Sequence, residues 1–209
     1  MKTRERILHC ALELFNEQGE PTVTTLDMAN ELDISPGNLY YHFKGKEPII
    51  EELLEHFMAD TRGLLLPEDE PESQEPEDYW LFLHLLFEAI IQYRFLFRDL
   101  SSLMSRYATI EQGMQLWLMA LRRRFDQQLS ALESEGHLLT DAASRQRLLD
   151  SQCQTLVFWL DYCRLGGNSS DAKEDPSQGV IQVLCLILPW LDEATHDWLQ
   201  ALIERYEQA

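Results

Sequence analysis

Apolar side chains recur at intervals of three to four residues along almost the whole of this chain. Over residues 3–19, for example, Ile7, Ala11 and Phe15 follow one another four residues apart, and Gly19 provides a stop signal. This spacing places the apolar side chains on one face of an α-helix. Strands require alternation with a period of two, which no segment shows clearly. The chain is therefore predicted to adopt an all-α fold.

Capping signals divide the N-terminal part of the chain into four predicted helices. The second begins at a capping box formed by Thr24 and Asp27. The third begins at Ser35, a side-chain cap that is followed by proline at the first helical position, and it ends near Phe43. The fourth runs over about residues 45–66, with a proline in its first turn, where a missing N–H costs little.

An acidic stretch with several prolines, residues 67–76, predicts a loop, and longer helices are predicted after it. Pro189 is expected to stop or kink one of them. We divide the chain into an N-terminal domain of residues 1–58 and a larger helical domain of residues 59–209. The helices expected after the loop span about 76–95, 96–106, 109–135, 140–165, 177–191 and 195–207.

Residues 24–43 have the spacing of a helix-turn-helix motif: a helix, a tight turn and a second short helix. Small residues at the start of the second helix, among them Gly37, allow its N-terminus to approach DNA, where free N–H groups meet phosphate. Leu39 and Phe43, four residues apart, form the packing face. The opposite face carries side chains that reach bases or phosphates, namely Asn38, Tyr40, Tyr41 and His42.

The formal net charge of −19 opposes DNA binding, because an acidic chain repels phosphates at long range. Residues 35–46 nevertheless contain no carboxylate, although 36 of the 209 residues are Asp or Glu. Lys44 and Lys46 directly follow the motif, which provides the local basic face that DNA binding requires. Three cations near the N-terminus are expected to extend this face: Lys2, Arg4 and Arg6.

The segment from Ser35 to Glu47, SPGNLYYHFKGKE, resembles the signature of the TetR family of bacterial transcriptional regulators. Thr24-Thr25, Met28-Ala29 and the helix from Arg4 to Phe15 are similar to the first two helices of that family, so the resemblance covers about residues 3–58. It implies an N-terminal domain that binds double-stranded operator DNA. It also implies a C-terminal domain that binds a small-molecule effector and forms a homodimer.

The resemblance also implies roles for individual residues. Thr24 and Thr25 contact the DNA backbone at the start of the second helix, and Lys46 clamps a phosphate. Asp33 stands where the family usually has glycine, and it is expected to adopt the left-handed conformation of that turn. Leu26 stands where members often have a polar contact residue, which puts base contacts from the second helix in doubt. The predicted DNA-binding set is Thr24, Thr25, Ser35, Gly37, Asn38, Tyr40, Tyr41, His42, Lys44 and Lys46.

Residues 76–209 contain no Ser-His-Asp arrangement, no glycine-rich phosphate loop and no metal-ligand spacing of His or Cys. We therefore expect no enzyme activity, no cofactor and no metal. An excess of large apolar side chains instead predicts a pocket for an apolar or amphipathic effector. Its expected lining is Phe82, Leu86, Tyr93, Met104, Trp117 and Trp159.

Two helices of the C-terminal domain are predicted to form the dimer interface. Residues 180–191 are apolar nearly all round, which requires burial on more than one side. By family resemblance, this helix and the preceding one pair with their copies into a four-helix bundle. One stripe of the preceding helix carries Leu156, Trp159, Leu160 and Cys163.

The patterns favour a ligand-responsive repressor over two other interpretations. The acidity suggests, as an alternative, a protein-interaction regulator of the same fold with weak DNA binding, and an all-α enzyme is a third hypothesis without a nameable acid–base pair. The N-terminus leads into an amphipathic helix rather than a signal peptide, and the four cysteines stand singly. No apolar run approaches the roughly 20 residues of a membrane span. We therefore expect a cytoplasmic protein with reduced thiols.

Overall fold

The computed structural model describes residues 2–67, 75–165 and 175–207, and it has the all-α fold predicted from the sequence. None of the described helices combines the length and apolarity that a membrane span needs. Most of the predicted loop at 67–76 lies outside the described residues. The helices are α1 (Thr3–Gln18), α2 (Thr25–Glu31), α3 (Pro36–His42), α4 (Glu47–Leu65), α5 (Pro76–Gln92), α6 (Arg94–Arg98), α7 (Leu100–Arg106), α8 (Ala108–Ser134), α9 (Ala142–Leu165), α10 (Pro176–Ile187) and α11 (Glu193–Glu207).

The caps of α2 and α3 form as predicted. The Thr24 hydroxyl accepts the Asp27 N–H at 3.2 Å, and the Asp27 carboxylate accepts the Thr24 N–H at 2.8 Å. The Ser35 hydroxyl accepts the Asn38 N–H at 3.1 Å. Between the two helices, Asp33 has a φ of 52°, the left-handed conformation expected for this turn. Local side-chain chemistry therefore sets where both helices begin and how the chain turns between them.

Two of the predicted helices are shorter in the structure than expected. The segment predicted as one helix over 96–106 is interrupted at Asp99, whose backbone leaves the helical region, and it forms the end of α6 and α7. The helix predicted over 177–191 ends at Ile187 and continues as a 3₁₀ turn over Leu188–Trp190. Pro189 lies in this turn, and its missing N–H prevents the helix from continuing, as expected.

One continuous apolar core joins the N-terminal helices to the larger helical body. The predicted boundary at residue 58 lies inside α4, which packs against α5 and α8 and so contributes to both parts. The last long helices are layered so that α10 packs between α5 and α9 and also contacts α11. α10 approaches α5 closely at Gly179, where an added Cβ atom would lie 2.3 Å from the ring of Phe87.

Candidate nucleic-acid interface

The inner side of the helix-turn-helix motif is anchored in the core. Leu39 on α3 and Phe43, which directly follows this helix, are buried, and Met28 and Ala29 on α2 have no exposed surface. α2 packs against both α1 and α3, while α4 packs against α1. The predicted division of α3 into a packing face and an outer face is therefore present in the fold.

The outer face of α3 exposes large side chains. Tyr40 and Tyr41 are 57% and 78% exposed, and Asn38 is also exposed. His42 is half-buried, with its ring edge-to-face against Tyr41 at a centroid distance of 5.2 Å. The Lys44 ammonium lies 4.5 Å above the ring of Tyr40, a cation–π contact that holds a positive charge beside the helix. Two adjacent exposed tyrosines beside the Lys44 ammonium form a surface suited to an anionic partner.

The entry to α3 is open and carries small residues. Ser35 and Gly37 are both exposed. A Cβ atom built on Gly37 would meet only the Ser35 hydroxyl, at 3.9 Å, so packing within the chain does not require glycine there. Thr24 is exposed and Thr25 half-buried at the start of α2, and the Thr24 hydroxyl also donates to Asp27 at 2.6 Å. The Thr24 side chain is thus committed to capping α2.

Lys46 does not reach the outer face, contrary to its predicted role as a phosphate clamp. Its ammonium donates to the carbonyl oxygens of Glu20 at 2.8 Å and Val23 at 3.0 Å, and it pairs with the Glu20 carboxylate at 2.8 Å. An ammonium has three donors, and these contacts use all of them. In this conformation Lys46 braces the turn before α2, and Lys44 is the exposed cation beside α3.

Arg4 and Arg6 extend the basic face less than expected. Arg4 forms an ion pair with Glu52 on α4, and its guanidinium lies 4.7 Å from the ring centroid of Phe43. Arg6 is exposed, with its guanidinium 3.5 Å from the Leu32 carbonyl oxygen. The charge of Arg4 is partly neutralised by its partner, so its main structural effect is to hold α1 against α4 and the end of α3.

Glu20, which sequence reasoning missed, is the buried acceptor of this region. Its carboxylate receives the Lys46 ammonium, the Arg106 guanidinium and, at 3.1 Å, the Tyr107 hydroxyl. Burial alone would raise the pKa of Glu20, but the hydrogen bonds and charges of Arg106 and Lys46 lower it below its ordinary value. Because the folded-state pKa is the lower one, this carboxylate stabilises the fold above its ordinary pKa. That contribution is lost as the pH falls through the folded-state pKa.

Family comparison agrees with this geometry over nearly the whole chain. A model of bacterial regulatory proteins of the tetR family matches residues 7–53, and a model of TetR bacterial transcriptional repressors matches residues 57–198. The second match covers more than half of the chain. The chain belongs to the TetR family. It is therefore a transcriptional regulator with a helix-turn-helix DNA-binding domain, and its relatives are regulators rather than enzymes.

Individual TetR-family relatives are similar to different extents of the chain. A TetR-family regulator of known structure from Marinobacter aquaeolei VT8 is 31% identical, with a TM-score of 0.87 and 99% of each chain covered. The transcriptional regulator UidR of Escherichia coli K12 is 26% identical over 150 residues, which are 72% of this chain and 66% of UidR. The transcriptional repressor KstR2 of Mycolicibacterium smegmatis is 38% identical over 55 residues, so the match spans only 27% of KstR2 and 26% of this chain.

The six residues predicted to line the effector pocket of this TetR-family chain make their contacts in different places. Tyr93 and Trp117 are brought together against Phe57 of α4, at ring-centroid distances of 5.6 and 5.2 Å. Phe82 packs instead against Phe125, at 5.8 Å. Leu86 is also buried, whereas Met104 is half-buried. Trp159 is half-buried and lines a groove between α9 and α10.

Tyr93 and Trp117 both make polar contacts to α4. The Tyr93 hydroxyl donates to the Asp60 carboxylate at 2.7 Å, and the Trp117 indole N–H donates to the Thr61 hydroxyl at 3.1 Å. Burial and the neighbouring Asp60 carboxylate raise the pKa of Tyr93, so its phenol stays protonated and continues to donate. The helix that begins beside the DNA-binding motif is thus held at its other end by aromatic side chains of the larger domain.

The face of α9 that is exposed in the structure differs from the face predicted for the dimer interface. Leu156 and Leu160 are buried in the core of the protomer, as is Leu184 on α10. A charge at Leu184 would therefore disrupt the core of the protomer rather than a surface. The stripe left exposed along α9 consists of Phe158, Tyr162 and Leu165.

A groove of about 580 Å³ lies beside this exposed stripe. It is open to the surface and runs between α9 and Gln182 of α10. The spacing of residues 158, 162 and 165 places them on one face of α9, so apolar surface and groove form a continuous patch. The side chains that line the groove are Gln154, Thr155, Phe158, Trp159, Tyr162 and Gln182.

Proposed function

We propose that this TetR-family chain is a cytoplasmic, ligand-responsive repressor. A homodimer binds an inverted-repeat operator, and an apolar or amphipathic small molecule releases it. The observation that carries the proposal is the outer face of α3, where Asn38, Tyr40, Tyr41 and Lys44 are exposed within a segment that has no carboxylate. The name of the relative KstR2, a transcriptional repressor, supports the sign of regulation.

Dimerisation would explain both the apolar patch and the operator symmetry. The exposed stripe on α9 and its groove beside α10 provide apolar surface that a second copy would bury. A two-fold dimer must present its recognition helices about 34–36 Å apart to enter successive major grooves. Each copy then reads one half of an inverted repeat with its α3.

The contacts of α4 support ligand response. Tyr93 and Trp117 pack on Phe57 and hydrogen-bond to α4. An effector that displaces either aromatic side chain would change the position of α4 relative to the larger domain. Since α4 begins beside the DNA-binding motif, such a change would alter the spacing of the recognition helices in the dimer. Release from the operator would follow, because both half-sites could no longer be engaged together.

Selection of binding sites from a random pool of double-stranded DNA tests the proposal. We expect the enriched sequences to contain an inverted repeat, and their affinity to fall steeply with rising salt. The measurement is fluorescence anisotropy at two salt concentrations, with a shuffled sequence as the control. A folded protein that enriches no sequence would contradict the proposal and favour the protein-interaction regulator.

Asn38→Ala is expected to relax the base preference of the protein at one position of each half-site. An amide that makes a bidentate contact to adenine contributes roughly 1–3 kcal/mol of discrimination. The measurement is operator affinity against a panel of single base-pair changes. Gln115→Ala, which removes an exposed amide from α8, serves as the control. Equal discrimination by Asn38→Ala and wild type at every base pair would remove Asn38 from the base-reading set.

Lys44 and Lys46 are expected to behave differently when each is replaced by alanine. Lys44 is exposed, so its loss in both subunits should reduce the slope of log affinity against log salt by about two units. Lys46 is bound to Glu20 and Val23, so its loss should lower the melting temperature and leave the slope unchanged. A reduced slope for Lys46→Ala at unchanged melting temperature would restore the phosphate contact first predicted for this residue.

A further inference from the structure

We propose that Glu20 is a positioning residue that fixes the DNA-binding domain at one angle on the C-terminal domain. This inference rests on the proposed function, because it concerns how the two recognition helices are held at the spacing of an operator. Glu20 lies in the 3₁₀ turn Glu20–Thr22, between α1 and the helix-turn-helix motif. Its buried carboxylate is the point at which side chains from both domains meet.

The two oxygens of the Glu20 carboxylate are divided between three partners. Oε1 accepts from the Lys46 ammonium at 2.8 Å and from the Tyr107 hydroxyl at 3.1 Å, while Oε2 accepts from the Arg106 guanidinium. Lys46 precedes α4 and belongs to the DNA-binding side. Arg106 and Tyr107 lie at the junction between α7 and α8. The carboxylate therefore bridges the DNA-binding motif to a break between two helices of the larger domain.

Of the two cations that pair with Glu20, Lys46 belongs to the DNA-binding domain and Arg106 to the C-terminal domain. Lys46 also binds the carbonyl oxygens of Glu20 and Val23, so the Glu20–Lys46 pair is part of the DNA-binding domain itself. Arg106 is partly exposed and comes from the other domain. A buried carboxylate must be paired, and Lys46 continues to pair it when Arg106 is removed. Loss of the Arg106 contact should therefore loosen the domain orientation, which the apolar contacts of α1 and α4 also restrain, without unfolding the domain.

A second polar attachment lies nearby on α1. The buried Asn16 side chain donates to the Gln92 carbonyl oxygen at 2.8 Å and accepts the Phe95 N–H at 3.0 Å. The Arg98 guanidinium donates to the Asn16 carbonyl oxygen at 2.7 Å. Asn16 thus holds α1 at the junction of α5 and α6, and Glu20 holds the following turn at the junction of α7 and α8. Two polar attachments at different points restrain this angle more closely than the apolar contacts of α1 and α4 would alone.

Both attachments are made to breaks between helices of the larger domain. Such breaks can shift without disrupting whole helices, which gives them the character of hinge positions. A displacement of the α7–α8 junction would move Arg106 and Tyr107 relative to Glu20. The geometry therefore makes the Glu20–Arg106 contact a second route, beside α4, by which a change in the C-terminal domain reaches the DNA-binding domain.

The experiment compares operator spacing preferences of Arg106→Gln and Tyr107→Phe with those of the wild-type homodimer. The DNA panel contains the selected inverted repeat and versions with one base pair added to or removed from its centre. Wild type should prefer one spacing by at least about tenfold, and both variants should lose most of this preference, within the range of measured coupling between sites. Tyr107→Phe should melt close to the wild-type temperature, and Arg106→Gln somewhat below it, because Lys46 still pairs the buried Glu20 carboxylate.

Arg122→Gln is the matched control. Arg122 has similar exposure to Arg106 and forms an ion pair with Asp150 inside the C-terminal domain. Its replacement by glutamine therefore removes the same charge, but away from the Glu20 carboxylate. It should retain the wild-type spacing preference. Retention of that preference by both Arg106→Gln and Tyr107→Phe would overturn the positioning role of Glu20. Failure of wild type to bind any inverted repeat would instead overturn the proposed function.

Discussion

Phe158→Glu is expected to convert the proposed dimer into monomers. Phe158 is 51% exposed, and it continues into the more exposed Tyr162 and Leu165 on the same face of α9. In a two-fold interface the same patch meets itself, so one substitution introduces two carboxylates into one apolar contact. Each carboxylate would be desolvated without a cationic partner, and the pair would repel each other.

The same substitution is expected to weaken operator binding by at least about 10²-fold, because two linked half-site contacts are replaced by single ones. Each α3 should still contact one half-site, since Phe158 is remote in sequence from residues 35–46 and α3 is unchanged. Binding to an isolated half-site should therefore match wild type. Light scattering after size-exclusion chromatography measures the mass, and fluorescence anisotropy measures both affinities.

Leu116→Glu provides the matched control for this prediction. Leu116 is 59% exposed on α8, so the substitution adds the same charge at a similarly exposed apolar residue outside the α9 groove. It should leave the dimer mass and operator affinity unchanged. An unchanged dimer mass for Phe158→Glu, with intact helicity, would place the dimer interface elsewhere on the molecule.

Features of the DNA-binding motif that depend on near neighbours in the sequence could be predicted. The capping box of Thr24 and Asp27 and the Ser35 cap join atoms only three residues apart, so their spacing identifies them. The left-handed Asp33 is likewise a local property of a tight turn. The exposure of Tyr40 follows from the helical period once Leu39 is assigned to the core.

Pairing between distant residues could not be predicted in this way. The family resemblance predicts a phosphate contact for Lys46. Its partner in the structure, Glu20, lies 26 residues earlier, and Arg106 lies 86 residues after Glu20. No local pattern in the sequence connects these positions. The only signal was Glu20 itself, a carboxylate next to Gly19 at the end of α1, and most such residues are solvated. The bridge between the domains is therefore a property of the tertiary fold.

The sequence also leaves ambiguous which face of α9 packs against the core. Its apolar residues occupy more than one face: Leu156 and Leu160 face the core, while Phe158 and Tyr162 face outwards. When a helix is apolar on two sides, its sequence pattern does not identify which side packs against its own chain. The same ambiguity placed Trp159 in the predicted effector pocket, although it lines the outer groove.

Gly179→Ala is expected to destabilise the protein by about 1–3 kcal/mol, despite the higher helix propensity of alanine. An added Cβ atom would lie 2.3 Å from Cε1 of Phe87 and within 2.8 Å of two further ring atoms. The Phe87 ring is rigid and fully buried, so it cannot move aside as the end of a flexible chain can. α10 would instead have to move away from α5, and the apolar contacts between them would be lost.

Gly63→Ala is the matched control, because it should have the opposite sign. Gly63 lies in α4, and an added Cβ atom would have no neighbour within 4 Å. Alanine there should stabilise the helix by roughly 0.5–1 kcal/mol through lower backbone entropy in the unfolded chain. Urea unfolding followed by circular dichroism, at one protein concentration for all variants, measures both effects. An unfolding midpoint for Gly179→Ala at or above that of wild type would show that α10 and α5 are not in close contact there.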